Sequence, residues 1–426
     1  MNLSTEVPPH VRDMTLITSY DEADEIFRSK QFLQGSHGES RPFFGHSLLL
    51  LDGVEHFKRR RLLSALFRKE ALYHYETALL QPTIDQVLTE AAARSGPTGP
   101  VPVDLVQLSH RMLLQMTAGF VGLDGVDDDE SSERFARYLG KLGEGLGAEW
   151  STKDHNELIA EVMAVRDEFV ADFYARSETR RRELVESYRR DEIGRAELPV
   201  DLVTLMLLHE DPEWSDDLIM TEATVFAVAG TQTTAMAVPH AVAHLDAWVR
   251  EHPEDRNRRT DLDFLQAATY ESLRLHLPGP AEIRVASDDV TLRSGRTVRR
   301  GEYVALMFAE ANRDRKVFGP DADRFDPTRT MPAAIKPWAL GFGGGVHTCI
   351  GRQLVTGLSR SVDELGTEER STVGIAAQIL RSLYRAGVEL DADNPPRRRP
   401  DSYYDAFEAF PVSLTRLRPG QVAREG

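Results

Sequence analysis

The chain has 426 residues, 41% of them apolar, a formal net charge of −17 and a single cysteine, Cys349. An acidic chain lacks the basic face that nucleic acid requires, and no apolar run approaches the length of a bilayer span. The start, Met1-Asn2-Leu3-Ser4-Thr5-Glu6, lacks the basic and apolar regions of a secretory signal, so a reduced cytoplasmic compartment and no membrane are expected.

Leu16-Ile17-Thr18 predicts a strand, and Tyr20 through Ser29 a helix opened by an Asp21 cap. Gln34 to Leu51 mixes Gly, Pro, Ser and aromatic residues without periodicity and predicts a long loop. Glu55 through Leu79 has helical spacing with a basic stripe, and helices dominate from there to about Val249. The last of them, between Asp216 and Val249, is long and apolar and holds Ala229-Gly230-Thr231-Gln232-Thr233-Thr234. Gly230 costs about 0.5–1 kcal/mol against Ala in a helix. A Thr233 hydroxyl could replace a backbone hydrogen bond and leave a bulge with room for a small ligand, although buried Thr more often bonds its own backbone. Glu271 and Arg274 lie three apart on one helical face, the spacing of an ordinary ion pair. Val285 to Thr297, with a turn at Ser294-Gly295, and Tyr303 to Met307 predict strands. Asn312 to Pro337, rich in Pro, Asp and Arg, predicts an irregular meander. The fold class is mainly α with minor β, and the length suits one large helical domain as well as two or three.

Cys349 lies in the run Phe342-Gly343-Gly344-Gly345-Val346-His347-Thr348-Cys349-Ile350-Gly351. One thiol can make neither an internal disulfide nor a cysteine-rich metal cluster. It can be a nucleophile, a buried filler, or the single protein ligand to a metal held by a cofactor. The glycines favour the last, since they let backbone approach a flat group and point N–H groups at a sulfur, stabilising thiolate. Haem iron with an axial thiolate is chemistry of that kind.

The run F-G-x-G-x-H-x-C-x-G resembles the haem-binding loop of the cytochrome P-450 superfamily at every fixed position. The resemblance extends from about Leu16 to Leu414 and is densest between Ala229 and Gly351. It implies the triangular haem-thiolate fold over one domain, residues 1–426, with haem b between two central helices. Cys349 would be the proximal metal ligand, with Phe342 shielding the sulfur and Gly351 closing the loop. His347, Arg284 and the His56 and Arg60 pair would meet the propionates. Gly230, Gln232 and Thr233 match the oxygen groove, where Thr233 would bond dioxygen and help deliver protons. Gln232 stands where the family carries an acid; it can orient water but cannot give up a proton as a carboxylic acid does. Glu271 and Arg274 match the E-x-x-R motif, which with Arg329 would lock the proximal core. Two further departures are expected. The family's extra helix and two strands ahead of Thr15 are missing, which leaves a sheet edge short or the start incomplete. The helix after Cys349 breaks at Gly357, and a polar insertion at about 358–373 precedes renewed amphipathic spacing from Ile375 to Tyr384.

By the same resemblance the pocket would draw on the Gln34–Leu51 loop, the helices near Leu146 to Asp172, Phe226 and Ala229, Pro278 to Ile283, and Tyr403 to Phe410. Phe43, Phe44, Phe226, Tyr403, Tyr404 and Phe407 could form an aromatic wall. Glu282, if it faced the cavity, would select an amine or a polyol. Lys58, Arg59, Arg61, Arg68, Lys69 and Arg352 read as a solvated face or as a patch for an acidic ferredoxin. The expected activity is monooxygenation of a small or medium organic molecule with dioxygen and electrons from ferredoxin and its reductase. A peroxygenase or oxidative-coupling enzyme, and a haem or ligand binder without turnover, are the alternatives.

Overall fold

Amphipathic spacing makes helices the main element of the computed structural model. It describes residues 11, 13–95, 99–151, 153–209, 211, 214, 216–279, 281–358, 372–399 and 405–417. The chain folds as two compact units. One comprises Met1–Gly35, Ile84–Ser109 and Thr233–Gly426; the other comprises Ser36–Thr83 and His110–Gln232.

The first unit carries a four-stranded sheet. Thr15–Ile17 runs parallel to Tyr303–Met307, which pairs antiparallel with Ala281–Ala286, and that strand pairs with Phe32–Gln34. Thr15–Ile17 is therefore an edge strand among the described residues. Alternation along Ala281–Ala286 puts Glu282 and Arg284 on one face and Ala281 and Ile283 on the other. Ile17, Ile26, Phe27, Phe32, Val304 and Leu306 form the core beneath. Val101–Asp104, Pro411–Leu414 and Val388–Leu390 make a second antiparallel sheet.

Helices build the second unit, among them Gly53–Leu63, Asp129–Leu146 and His155–Phe169. Phe135 packs edge-on to Phe173 and stacks with Phe169 in its core. The Asp128 carboxylate accepts from the Ser131 N–H at 2.7 Å and opens the Asp129–Leu146 helix. The helix Leu105–Val121 and the 36-residue helix Asp216–Glu251 each contribute residues to both units.

Several expectations need correction. Ser19 is the cap residue of Tyr20–Arg28, and Asp21 lies in the first turn, where a carboxylate still favours the helix dipole. The loop from Gln34 to Leu51 contains a helical turn, Arg41–Phe44, with Pro42 at its start. The span from Glu55 to Leu79 divides into Gly53–Leu63 and Lys69–His74, joined by a 3-10 turn and followed by a π-helical stretch, Tyr75–Leu80. No bulge forms at Thr233, because the helix stays α-helical from Asp216 to Glu251. A threonine hydroxyl can bond back without breaking the ladder, as Thr224 does to the Met220 carbonyl at 2.9 Å.

The helix after Cys349 is short, Arg352–Thr356, and ends at Gly357 as its sequence suggests. Leu358 N–H donates to the Thr372 carbonyl at 3.1 Å, so the chain leaves and returns at one place. Gln266 Nε2 donates to both sides of that neck, at 2.7 Å to Thr356 O and 3.2 Å to Val373 O. Most of the expected insertion, 359–371, lies outside the described residues, as do Tyr403 and Tyr404.

Candidate functional site

In the first unit, the segment that carries Cys349 folds back on itself. Cys349 N–H donates to the Phe342 carbonyl at 2.9 Å, and Gly343 and Gly345 take φ of 64° and 62° to make the return possible. Gly345 also lies on the helix Tyr20–Arg28, where an added Cβ would fall 1.9 Å from the Phe27 carbonyl oxygen. No other residue fits there. Phe342 packs edge-on to Trp338 at 5.8 Å, and Arg352 lies over the same indole at 5.2 Å. His347 is half-buried in a single turn, Gly351 caps the helix Arg352–Thr356, and the Cys349 thiol is exposed.

Beside this loop, Arg284 is 2% exposed. Its guanidinium donates to Glu282 Oε2 at 2.6 Å and to Gln34 Oε1 at 2.5 Å, and lies over the Phe27 ring. Glu282 leans towards Gly343, where an added Cβ would be 3.8 Å from either carboxylate oxygen. This corrects its expected place as an unpaired pocket carboxylate. The strand alternation that puts both side chains on one face pairs it with a cation instead.

Glu271 and Arg274 form a two-pronged pair at 2.8 and 2.8 Å, and Arg329 Nε donates to Glu271 Oε1 at 3.0 Å. Arg274 is fully buried, and its remaining prong donates to the Asn312 and Ala322 carbonyls. Asn312 extends the network: its Nδ2 donates to Arg274 O, and its Oδ1 accepts from Leu340 N–H at 3.0 Å. Leu340 is two residues before Phe342. The three sequence-marked residues thus hold the segment that leads into the cysteine loop, and Asn312, which no motif marked, completes the link.

In the second unit, His56 is buried and Arg60 half-buried on Gly53–Leu63. Arg59 is not part of a surface patch. It is buried and pairs with Glu222 at 3.2 Å, while Glu222 also accepts the Leu48 N–H at 2.7 Å. Burial pushes the Glu222 carboxyl up to about 7 against the opposing pull of Arg59. One acid in an otherwise apolar helical turn was the sequence signal for this pair. Replacing Glu222 with Ala is expected to cost about 3–5 kcal/mol, because Arg59 then keeps its burial with the His46 carbonyl but no counter-charge. Glu222→Gln retains an acceptor and is expected to cost clearly less, as urea unfolding midpoints would show. Lys58, Arg61, Arg68 and Lys69 are exposed as expected.

The oxygen-groove candidates sit on the long helix. Gly230 permits close approach of Thr117, whose Cγ2 would be 3.3 Å from an added Cβ. Gln232 is half-buried, and its Oε1 lies 3.1 Å from His110 Nε2. Thr233 is exposed on a helix whose neighbouring residues are mostly buried. Ala229 is half-buried; Phe226 is buried and stacks on Phe120 at 6.1 Å. Phe43 and Phe44 are core residues at 4.9 Å from each other. Phe407 likewise packs on Phe410 and on the His240 imidazole, each at 4.8 Å, so the expected aromatic wall is largely core packing.

His240, His276 and Asp405 bring three potential metal donors within 4.8 Å of one another. The two imidazoles stack at 4.5 Å and 10°, so their in-plane lone pairs run parallel instead of converging. His240 Nε2 is already engaged with the Asp405 carbonyl at 2.6 Å, and Arg398 takes the Asp405 carboxylate. This cluster is packing, not a metal site.

An exposed thiol is thus presented by a loop only glycine can close, and the segment leading into that loop is anchored to a buried carboxylate–guanidinium network. The family description Cytochrome P450 matches residues 7–356. Mycinamicin IV hydroxylase/epoxidase of Micromonospora griseorubida is 28% identical over 359 residues, 82% of this chain and 79% of that protein. The bifunctional cytochrome P450/NADPH–P450 reductase ALT2 of Alternaria alternata is 32% identical over 203 residues, 40% of this chain and only 17% of that longer protein. The crystal structure of CalO2 superposes with a TM-score of 0.70 at 22% identity, covering 95% of this chain and 91% of that one. The chain belongs to the cytochrome P450 family and has its fold; it is an oxygen-incorporating oxidoreductase with a haem-thiolate cofactor. No helix among the described residues is long and apolar enough to cross a membrane.

Proposed function

We propose that this chain is a single-domain haem b monooxygenase that hydroxylates or epoxidises a small or medium organic molecule in secondary or xenobiotic metabolism. The exposed Cys349 thiol in its glycine-closed loop carries the reading. When bound, haem supplies dioxygen activation, with the thiolate favouring O–O cleavage. The chain's own residues do the rest. Cys349 would be the metal ligand, with Phe342 at the other end of its backbone hydrogen bond and Gly351 capping the helix that follows. His56, Arg60, Arg284 and His347 would offer N–H donors to the two propionates, which cannot be buried unpaired. Thr233 places a hydroxyl where protons are handed on, Gln232 orients water beside it, and Gly230 keeps the helix packed on Thr117. Phe226 and Ala229 belong to the substrate side, with Tyr404 proposed from sequence alone.

Electrons are proposed to come from an external ferredoxin and its reductase in the cytoplasm. The exposed Lys58, Arg61, Arg68 and Lys69 support this, since such a stripe in a chain of net charge −17 steers an acidic partner. A peroxygenase or oxidative-coupling reaction is the second reading, favoured by Gln232, which cannot ionise. Turnover with hydrogen peroxide but none with ferredoxin and reductase would select it.

Cys349→Ala is the central test. The variant supplied with haem is expected to lose the thiolate signature of the reduced, carbonyl-bound spectrum while its far-ultraviolet circular dichroism is kept. Unchanged optical bands would overturn the assignment.

A further inference from the structure

Gln232 stands where the resemblance calls for an acid, and its side chain is held from two sides within the second unit. Its stem packs on the helix Asp129–Leu146, where an added Cβ at Gly143 would lie 3.6 Å from Gln232 Cγ. Its amide tip meets His110 Nε2 at 3.1 Å. His110 and Thr117 are seven residues apart on the helix Leu105–Val121, so they share one face. Thr117 lies against Gly230 of the long helix, and His110 one face-repeat earlier meets Gln232, two residues further on. An ordinary glutamine in a groove turns about its last torsion and offers oxygen or nitrogen indifferently. This one is given a fixed partner.

We propose that His110 is a positioning residue for the oxygen groove. Its Nε2–H donates to Gln232 Oε1, which leaves the Gln232 amide N–H groups as oriented donors on the other side. The pair takes over the water-orienting part of the role that an acid plays elsewhere in the family, without its ionisation. The inference rests on the groove assignment made above.

The chain's own chemistry supplies the test. In the reconstituted holoenzyme, Gln232→Leu is expected to lower product formed per electron pair and to raise peroxide release. His110→Phe is expected to do the same by roughly 2- to 10-fold, the worth of one hydrogen bond. The double variant is expected to be no worse than the more impaired single variant, since both remove one contact. His110→Gln, whose amide nitrogen can reach the place of Nε2, is expected to restore most of the ratio. A readout independent of turnover is the His110 ring N–H in nitrogen-15 spectra, slow to exchange in the wild type and lost in Gln232→Leu. If Gln232→Leu changes neither coupling nor peroxide release, the groove assignment fails and the inference falls with it. If Gln232→Leu impairs coupling but His110→Phe does not, or if the two effects add, His110 has no such role and the groove assignment stands.

Discussion

Glu271→Ala is expected to yield little folded protein, with a loss of about 3–5 kcal/mol in whatever material survives. Arg274 is fully buried, and Glu271 supplies both of its anionic contacts. Removing the carboxylate leaves one buried guanidinium with carbonyl partners but no counter-charge and takes a partner from a second, Arg329. Losses of this size follow when one member of a buried charge pair is removed and the other remains. They consume much of the roughly 5–15 kcal/mol that a folded domain has. Arg274→Lys is expected to fail nearly as badly. Arg274 bonds through Nε, Nη1 and Nη2 in divergent directions, to Glu271 and to the Asn312 and Ala322 carbonyls. A lysine ammonium is a point donor that cannot span them. Asn312→Ala should show which part of the damage reaches the cysteine loop, because it removes the acceptor of Leu340 N–H and the donor to Arg274 O while leaving the charge pairs in place. Its expected signature is a smaller stability loss, about 1–3 kcal/mol, with haem retention reduced out of proportion. Thermal unfolding alongside haem dissociation to a scavenging apoprotein would measure both. A Glu271→Ala variant that expresses and unfolds like the wild type would refute the account of the network.

What could be read from the sequence follows from how local each signal is. The cysteine loop and the Glu271–Arg274 pair are spacings within ten residues, set by turn and helix geometry, and so they are legible in the sequence. Residues joined only by the fold were invisible. Asn312 and Leu340 meet across 28 positions, and Arg59 meets Glu222 across 163. Arg59 therefore looked like one more member of a basic stripe, when helical phase turns it inward and its neighbours outward. His110 gave no signal at all, since its meaning depends on Gln232, 122 residues away. The strand Val101–Asp104 escaped notice because Pro102 interrupts its pattern and its pairing partner is the strand Pro411–Leu414. Glu282 was misplaced for a related reason: a strand assumed to begin at Val285 hid the alternation that sets Glu282 beside Arg284.

Acid is expected to unfold this protein well above the pH at which its carboxylates titrate, and the cause is a buried histidine cluster. His240, His244 and His276 lie within 4.5–6.4 Å of one another, ring centre to ring centre, with His244 stacked on Phe325 at 4.8 Å. The groups facing them add no compensating negative charge beyond Asp405, which Arg398 already holds; Arg313 and Arg274 add positive charge. Burial, with repulsion from these cations and from one another, holds His240 and His244 down to about 3 and His276 lower still. All three are then neutral in the folded protein and charged in the unfolded chain below pH about 6.5. Their contribution is complete above that pH and is lost as pH falls towards the folded values. Each takes up to about 1.4 kcal/mol per pH unit with it. Glu222 works the other way. Its raised value means that between about 7 and 4.5 the folded state holds a proton the unfolded state has released, so it stabilises as pH falls. Three losses against one gain leave a net slope approaching two protons per molecule between pH 6 and 5, or about 2.7 kcal/mol per unit at its steepest. Urea unfolding free energies measured at pH 7.5, 6.5, 5.5 and 5.0 would trace it. His240→Phe should cut the slope to about half while leaving the curve cooperative. A stability that stays level from pH 7.5 to 5.0 would mean the three imidazoles are not neutral in the folded state.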